Sequence, residues 1–257
     1  MEKCDSRQVK GWRSRLTGLL IGVAAWSLVA GAGSEVLAAG SNVQQDFRLW
    51  SPVYLTVPLS TSFLGYAEVN PRFGDDVSDL NQLILRTAIG YKLNDRWSVW
   101  QGYAWNTVYY NANNQPDFTG ENRVYQQLTY KVKLPFLEAF PFIKYNSRTR
   151  LEERWIDHTD GTAIRARTML RVDIGLPKMI PDTAFVVYDE IFVNLNGVSG
   201  GPEAGFDQNR FFIGFNHEFM KQFNVDLGYQ MQIINTRKDL MVNQMNNMIL
   251  LQFWINL

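Results

Sequence analysis

Lys144-Tyr145-Asn146-Ser147-Arg148-Thr149-Arg150-Leu151-Glu152-Glu153-Arg154 is the stretch that decides how this chain folds. Lys144, Asn146, Arg148, Arg150, Glu152 and Arg154 share one parity. A strand sends alternate side chains to opposite faces, so these six line one face of it. The next strand-like run repeats the pattern, with Arg165, Arg167, Arg171 and Asp173 alternating with Ile164, Ala166, Leu170, Val172 and Ile174. In a soluble sheet the apolar face turns inward. A transmembrane barrel inverts this, with lipid outside and polar groups within. The two ends of the chain choose between the cases.

Residues 1–39 read as a secretory signal. Lys3, Arg7, Lys10, Arg13 and Arg15 form a basic head, Leu16 to Ala30 is an uncharged and mostly apolar run, and Val36-Leu37-Ala38-Ala39-Gly40 offers small residues for cleavage. The apolar run is short for a spanning helix. Cys4, the one cysteine, lies inside this segment, which leaves residues 40–257 without disulfides, a thiol nucleophile or a thiolate metal site. At the other end, Ile249, Leu251, Phe253, Ile255 and Leu257 share a face of a final strand. That strand resembles the C-terminal insertion signal of bacterial outer-membrane barrels, although Leu257 stands where Phe is usual. It implies the barrel-insertion machinery as a partner.

The chain carries 25 basic and 25 acidic side chains; five basic and three acidic ones fall in residues 1–39, leaving 20 and 22 beyond. No basic excess marks a nucleic-acid surface. No apolar run after residue 40 is long enough for a helical span. Eleven strand-like segments follow, near 46–57, 62–73, 80–93, 96–110, 121–134, 142–156, 163–176, 183–195, 208–219, 223–236 and 247–257. Most exceed the usual soluble strand and suffice for a tilted bilayer crossing. Compact turns at 58–61, 93–95, 135–141, 177–182 and 220–222 alternate with polar loops at 74–79, 111–120, 157–162, 196–207 and 237–246. Single-chain bacterial barrels normally have an even strand count with both termini on one side. The expectation is therefore an all-β, single antiparallel transmembrane barrel of about 12 strands, ten as the fallback, formed by residues 40–257 with a polar lumen. Outer-membrane lipid surrounds it, and the oligomeric state is left open.

Parity separates two faces in most segments. Glu68, Asn70 and Arg72 oppose Ala67, Val69 and Phe73, while Asn224, Asp226, Gln230 and Gln232 oppose Val225, Leu227, Tyr229 and Met231. Phe47, Trp50, Trp97, Tyr109, Tyr110, Trp155, Phe219, Phe223 and Trp254 sit near segment ends, as interfacial girdles require. Asp189 falls on the apolar parity, and segment 96–110 carries aromatics on both; a bulge would repair either. A soluble lipocalin-like barrel with its charges outward is the competing fold.

With these residues in place, the chain resembles a bacterial barrel family catalogued as domain of unknown function 2490. The resemblance rests on Asp46-Phe47-Arg48-Leu49-Trp50, on Arg148-Thr149-Arg150-Leu151-Glu152-Glu153-Arg154, on the strand with Arg165, Arg167 and Arg171, on Asp189-Glu190-Ile191-Phe192-Val193-Asn194, and on Asn209-Arg210. It implies an outer-membrane location and no established activity or ligand.

The predicted lumen-lining residues are Arg72, Arg86, Arg123, Arg148, Arg150, Glu152, Arg154, Arg165, Arg167, Arg171, Glu190 and Arg210. Paired with Glu68, Glu121, Asp173, Glu218 and Asp226, they form either a salt-bridge mesh that fills the interior or the charged wall of a narrow pore. Catalysis is the weaker class. His158 and His217 are isolated, neither stands in a His-x-Ser arrangement, and nucleophilic chemistry needs a base within reach of a hydroxyl. Asp75-Asp76 and Asp157–Asp160 read as solvated turns. The four glycines between Gly197 and Gly205 lack the lysine and helix of a phosphate cradle. No cofactor or metal is expected. The reading is a narrow porin-like channel or structural envelope barrel, with a lipid hydrolase or a non-transporting ligand-binding barrel as alternatives.

Overall fold

The computed structural model describes residues 44–112, 115–135, 142–176, 180–235 and 243–257. The predicted signal segment, the 135–141 turn beyond Pro135, part of the 177–182 turn and most of the 237–246 loop lie outside them. Every regular element is a strand: β1 (Gln44–Trp50), β2 (Val53–Pro58), β3 (Phe63–Gly74), β4 (Asp79–Lys92), β5 (Trp97–Ala112), β6 (Gln115–Pro135), β7 (Phe142–Ile156), β8 (Ala163–Gly175), β9 (Thr183–Asn194), β10 (Gly205–Met220), β11 (Phe223–Asn235) and β12 (Asn243–Asn256). No described helix is long and apolar enough to cross a membrane, which says nothing of strands.

Strands β2 to β12 pair in sequence order, and β12 then pairs with β1 and β2 to close the sheet into a barrel. The closure differs from expectation. β1 and β12 run parallel, from Gln44↔Gln244 to Trp50↔Leu250, and β2 continues the same offset with Val53↔Phe253. On the other side Trp50↔Arg72 and Val53↔Val69 also keep one register with β3. β1 and β2 are thus one rung broken at Ser51-Pro52, where proline has no N–H to give. The ladder holds across the break, since Phe253 N donates to Pro52 O at 2.9 Å and Ser51 N to Pro71 O at 3.2 Å. Twelve strands therefore occupy eleven positions around the ring. An odd ring cannot alternate direction all the way round, so one seam must be parallel. The same parity overturns the expectation that both termini share a side. β1 starts at the end carrying the long loops, and β12 finishes at the end carrying the tight turns.

The β5–β6 hairpin also departs from the reading. The predicted loop at 111–120 is mostly ladder, with pairing continuing to Ala112↔Gln115. Backbone pairing outweighs its Asn-rich composition. The loops after β7 and β9 brace each other at the same end. Asp160 and Ser199 form a bridge, Asn196 Nδ2 donates to Thr162 O at 2.9 Å, and Asp157 Oδ2 accepts from Gly120 N at 2.8 Å.

The barrel is inside-out relative to a soluble sheet. Val69, Leu85, Ile89, Val99, Leu128, Leu151, Ile213, Phe215, Leu227 and Ile249 are exposed on the outer face, whereas the buried set includes nine arginines. This arrangement excludes the charges-outward alternative. Glycines let large interior rings lie against the wall. A Cβ on Gly102 would stand 2.2 Å from the Tyr125 ring, and one on Gly90 would stand 2.5 Å from Trp100. The latter accounts for the aromatics on both parities of segment 96–110, because Trp100 points in while Trp97 and Tyr103 are exposed. No bulge turns Asp189 inward. It stays on the outer wall, where its Oδ1 accepts from Asn209 Nδ2 at 2.9 Å. Two girdle residues are misplaced by the sequence reading. Trp50 is buried inside, and Trp254 packs against Tyr54 with ring centres 4.1 Å apart and donates to Asp226 at 3.0 Å.

Candidate functional site

The strand alternation that exposes aliphatic residues outside carries the arginines inward. Of the predicted lumen-lining residues, all are buried except Arg148, which is partly buried. Four carboxylates organise most of them. Glu152, with no exposure, accepts from Arg165 Nη2 at 2.7 Å and Arg167 Nη1 at 3.1 Å, with Arg150 Nη1 at 3.6 Å. Glu190 takes Arg148 Nη2 at 2.8 Å and Arg167 Nη2 at 2.9 Å, with Arg210 at 4.0 Å. Glu121 takes Arg123 at 2.6 Å and Arg154 Nε at 2.5 Å. Glu68 binds Arg86 and accepts from Tyr66 Oη at 2.7 Å. Arg150 and Arg167 face each other directly across β7 and β8. Like charges so placed repel, and each guanidinium turns to different acceptors: Arg150 to Gln127 Oε1 at 2.6 Å, Arg167 to the two glutamates.

Some contacts reach beyond adjacent strands. Arg171 on β8 donates to Asp226 on β11 at 2.5 and 3.0 Å. Tyr188 on β9 donates to Gln230 on β11 at 2.7 Å and accepts from Gln252 on β12 at 3.2 Å. Trp50, Met169, Val186, Tyr188, Phe212, Met248 and Leu250 form one buried apolar cluster. Its members sit on β8, β9, β10, β12 and β1, so it lines one side of the ring from the inside.

Above it, toward the long loops, lies a cavity of about 430 Å³. Its wall includes Arg48, Arg72, Arg86, Arg123, Arg154, Arg165, Arg167 and Arg210 but only two carboxylates, Glu121 and Asp207. Aromatic rings support these cations. Arg72 lies 3.6 Å from the centre of the Trp50 ring and Arg210 lies 4.9 Å from it, while Phe192 is approached by Arg165, Arg167 and Arg210 at 4.6 to 5.1 Å. Such contacts stabilise a desolvated guanidinium by roughly 2 kcal/mol. The sequence reading missed Trp50 by assigning it to a girdle, Asp207 by assigning it to a loop, and the amides Asn106 and Gln208 because an amide carries no charge to betray a polar stripe, whereas it placed Gln232 on the polar face.

The two histidines occupy different places in the barrel. His158 is exposed in the loop after β7. His217 Nδ1 lies 2.8 Å from Thr183 Oγ1, a pairing invisible in the sequence because the two residues meet across β9 and β10. The Thr183 hydroxyl also lies 3.0 Å from Pro181 O. Among the described residues no group of three or more ligating side chains could hold a metal ion.

The fold and interior define a class: a closed β-barrel with an apolar exterior and a cross-linked, arginine-rich core. The chain belongs to the family described as "Protein of unknown function (DUF2490)", whose profile matches residues 47–246. An uncharacterized protein of Methylorubrum extorquens is 35% identical over 201 residues, which span 77% of this chain and 83% of that protein. No solved structure matches the chain.

Proposed function

We propose that this is an exported protein of the bacterial outer membrane, a barrel whose role is in the envelope and whose interior is closed to free passage. The observation that carries the membrane assignment is the inversion of its faces: exposed aliphatic and aromatic side chains cover the outside of a closed sheet while ionic groups are buried within. Water would disfavour that outside at roughly 25 cal/mol per Å² of apolar surface, and lipid would not. Trp97 and Trp155, exposed near strand ends, suit the headgroup boundaries. The signal at residues 1–39 is removed on export, and the last strand engages the insertion machinery. The reading includes no catalytic step.

The closed interior rests on the burial of its side chains, Glu152, Phe212 and Asp226 having no exposure, and on the Arg171–Asp226 link. A porin-like wall of charge needs a water-filled path beside it, and these contacts stand in that path. The test is expression of the full chain in a Gram-negative host. Recovery of a shortened, heat-modifiable species in the outer-membrane fraction supports the proposal. Recovery in the soluble periplasmic fraction contradicts it.

A further inference from the structure

We infer that the loop-end cavity is a binding site for a small solute bearing a dianionic phosphate ester and a polyhydroxylated body, a sugar phosphate in chemical class. The inference goes beyond the envelope reading and does not depend on which membrane holds the barrel.

Charge imbalance is the first support. Eight arginines line the cavity; besides its own Glu121 and Asp207, their ion-pair partners are Asp46, Glu68, Glu152 and Glu190. Among the described residues at least two positive charges are left over, and Glu152 and Glu190 are shared further with Arg150 and Arg148. They are traceable to particular residues. Among the described residues Arg72 makes no salt bridge, its polar contacts being Gln82 Oε1 at 2.7 Å and Asn70 Oδ1 at 3.3 Å. Arg210 reaches Glu190 only at 4.0 Å, and that carboxylate already serves Arg148 and Arg167. A buried charge without a counter-charge is unfavourable. A doubly charged anion supplies what is missing.

The second support is independent of charge. Among the described residues, four buried polar atoms on cavity-lining side chains have no hydrogen-bond partner: Trp50 Nε1, Arg86 Nε, Arg154 Nη1 and Arg210 Nε. All four are donors, and all four residues are at least nine-tenths buried. A site short of acceptors and rich in guanidinium forks matches phosphate oxygens. The third support is the remaining wall. Asn81, Gln82, Asn106, Gln208, Gln232 and Gln244 present amides, which both donate to and accept from hydroxyl groups. The volume suits one hexose with its phosphate and excludes long chains. The lining residues nearest the rim, among them Asn81, Asp207, Ile234 and Gln244, stand at the strand ends that carry the long loops.

Arg72 and Arg210 also differ from the other arginines in what their removal does. Each holds a charge that no carboxylate balances well, so neutralising it leaves no orphaned acid. The test titrates the mature protein, refolded in zwitterionic detergent at low salt, with glucose 6-phosphate, inorganic phosphate and glucose. Glucose 6-phosphate is expected to bind with a submillimolar Kd, phosphate more weakly, and glucose not at all. Arg72→Gln and Arg210→Gln each weaken glucose 6-phosphate at least tenfold, about 1.4 kcal/mol. Both variants keep heat-modifiable migration without ligand. Arg72→Lys, which keeps the charge and loses the fork, falls between. No heat up to 10 mM glucose 6-phosphate, or equal affinity in both glutamine variants, overturns the inference. The same phosphate can be offered by a free solute or by the headgroup of a phosphorylated glycolipid. Displacement of glucose 6-phosphate by lipopolysaccharide in mixed micelles assigns the site to the headgroup, and undiminished binding assigns it to the solute.

Discussion

Replacing Glu152 with Ala removes the carboxylate on which Arg165, Arg167 and Arg150 converge at 2.7, 3.1 and 3.6 Å. The size of the effect depends on whether the interior is dry. Glu152 has no exposure, and the three arginines are at most 5% exposed. Breaking a buried pair from one side destabilises by about 3–5 kcal/mol, because the remaining charge is left without compensation. Arg165 keeps Asp207 at 2.8 Å and Arg167 keeps Glu190 at 2.9 Å, which holds the loss within that range rather than above it. In a water-filled channel the same pairs would be screened, and each would contribute about 0–1 kcal/mol. The assay is thermal unfolding in one detergent at one scan rate, which keeps the variants comparable. For a domain of this size about 2–4 °C accompanies each kcal/mol, so Glu152→Ala is expected to melt roughly 6–20 °C lower. Glu152→Ala combined with Arg165→Gln should recover part of the loss through their coupling. A fall of less than 2 °C, with no coupling in the double variant, would refute the argument for a closed interior.

Asp226→Asn releases Arg171 and loosens Trp254 at once, so it should lower stability by about 3 kcal/mol or more, read as a reduced urea midpoint. Gly102→Ala drives a Cβ into the Tyr125 ring and should destabilise by about 1–3 kcal/mol in the same assay, with Tyr125→Leu relieving the clash. Leu85 is exposed at the middle of β4. Leu85→Arg should cost about 2–4 kcal/mol for barrels folded in lipid vesicles if that face meets the bilayer; a change below 0.5 kcal/mol would remove Leu85 from the lipid face.

How far the sequence reveals this molecule differs between its two faces and its seam. The alternation of Arg148, Arg150, Glu152 and Arg154 with Thr149, Leu151 and Glu153 is local and survives folding intact, as do the boundaries of β7 at Phe142–Ile156. The ring size is not local. The strand pattern reads as eleven segments, and only the rule of evenness raises that to twelve. The structure keeps eleven positions because β12 accepts a parallel neighbour, a choice made between residues 200 apart in register. Interior aromatics were equally hard to place. Trp50 and Trp254 have the right parity to point inward, but their position near segment ends suggests a girdle. The cavity was least legible, since it brings together Arg72 on β3, Asp207 on β10 and Gln244 on β12.

The most direct test of the account is single-channel recording of the refolded mature protein in a planar bilayer, with folding checked by heat-modifiable migration. A folded, inserted barrel that stays electrically silent is the predicted result, because Glu152, Phe212 and Asp226 are buried without exposure inside it and Arg171 reaches Asp226 past two intervening strands. Steady ion-selective conductance that changes in size or selectivity in Arg150→Ala would contradict it and establish a charged pore.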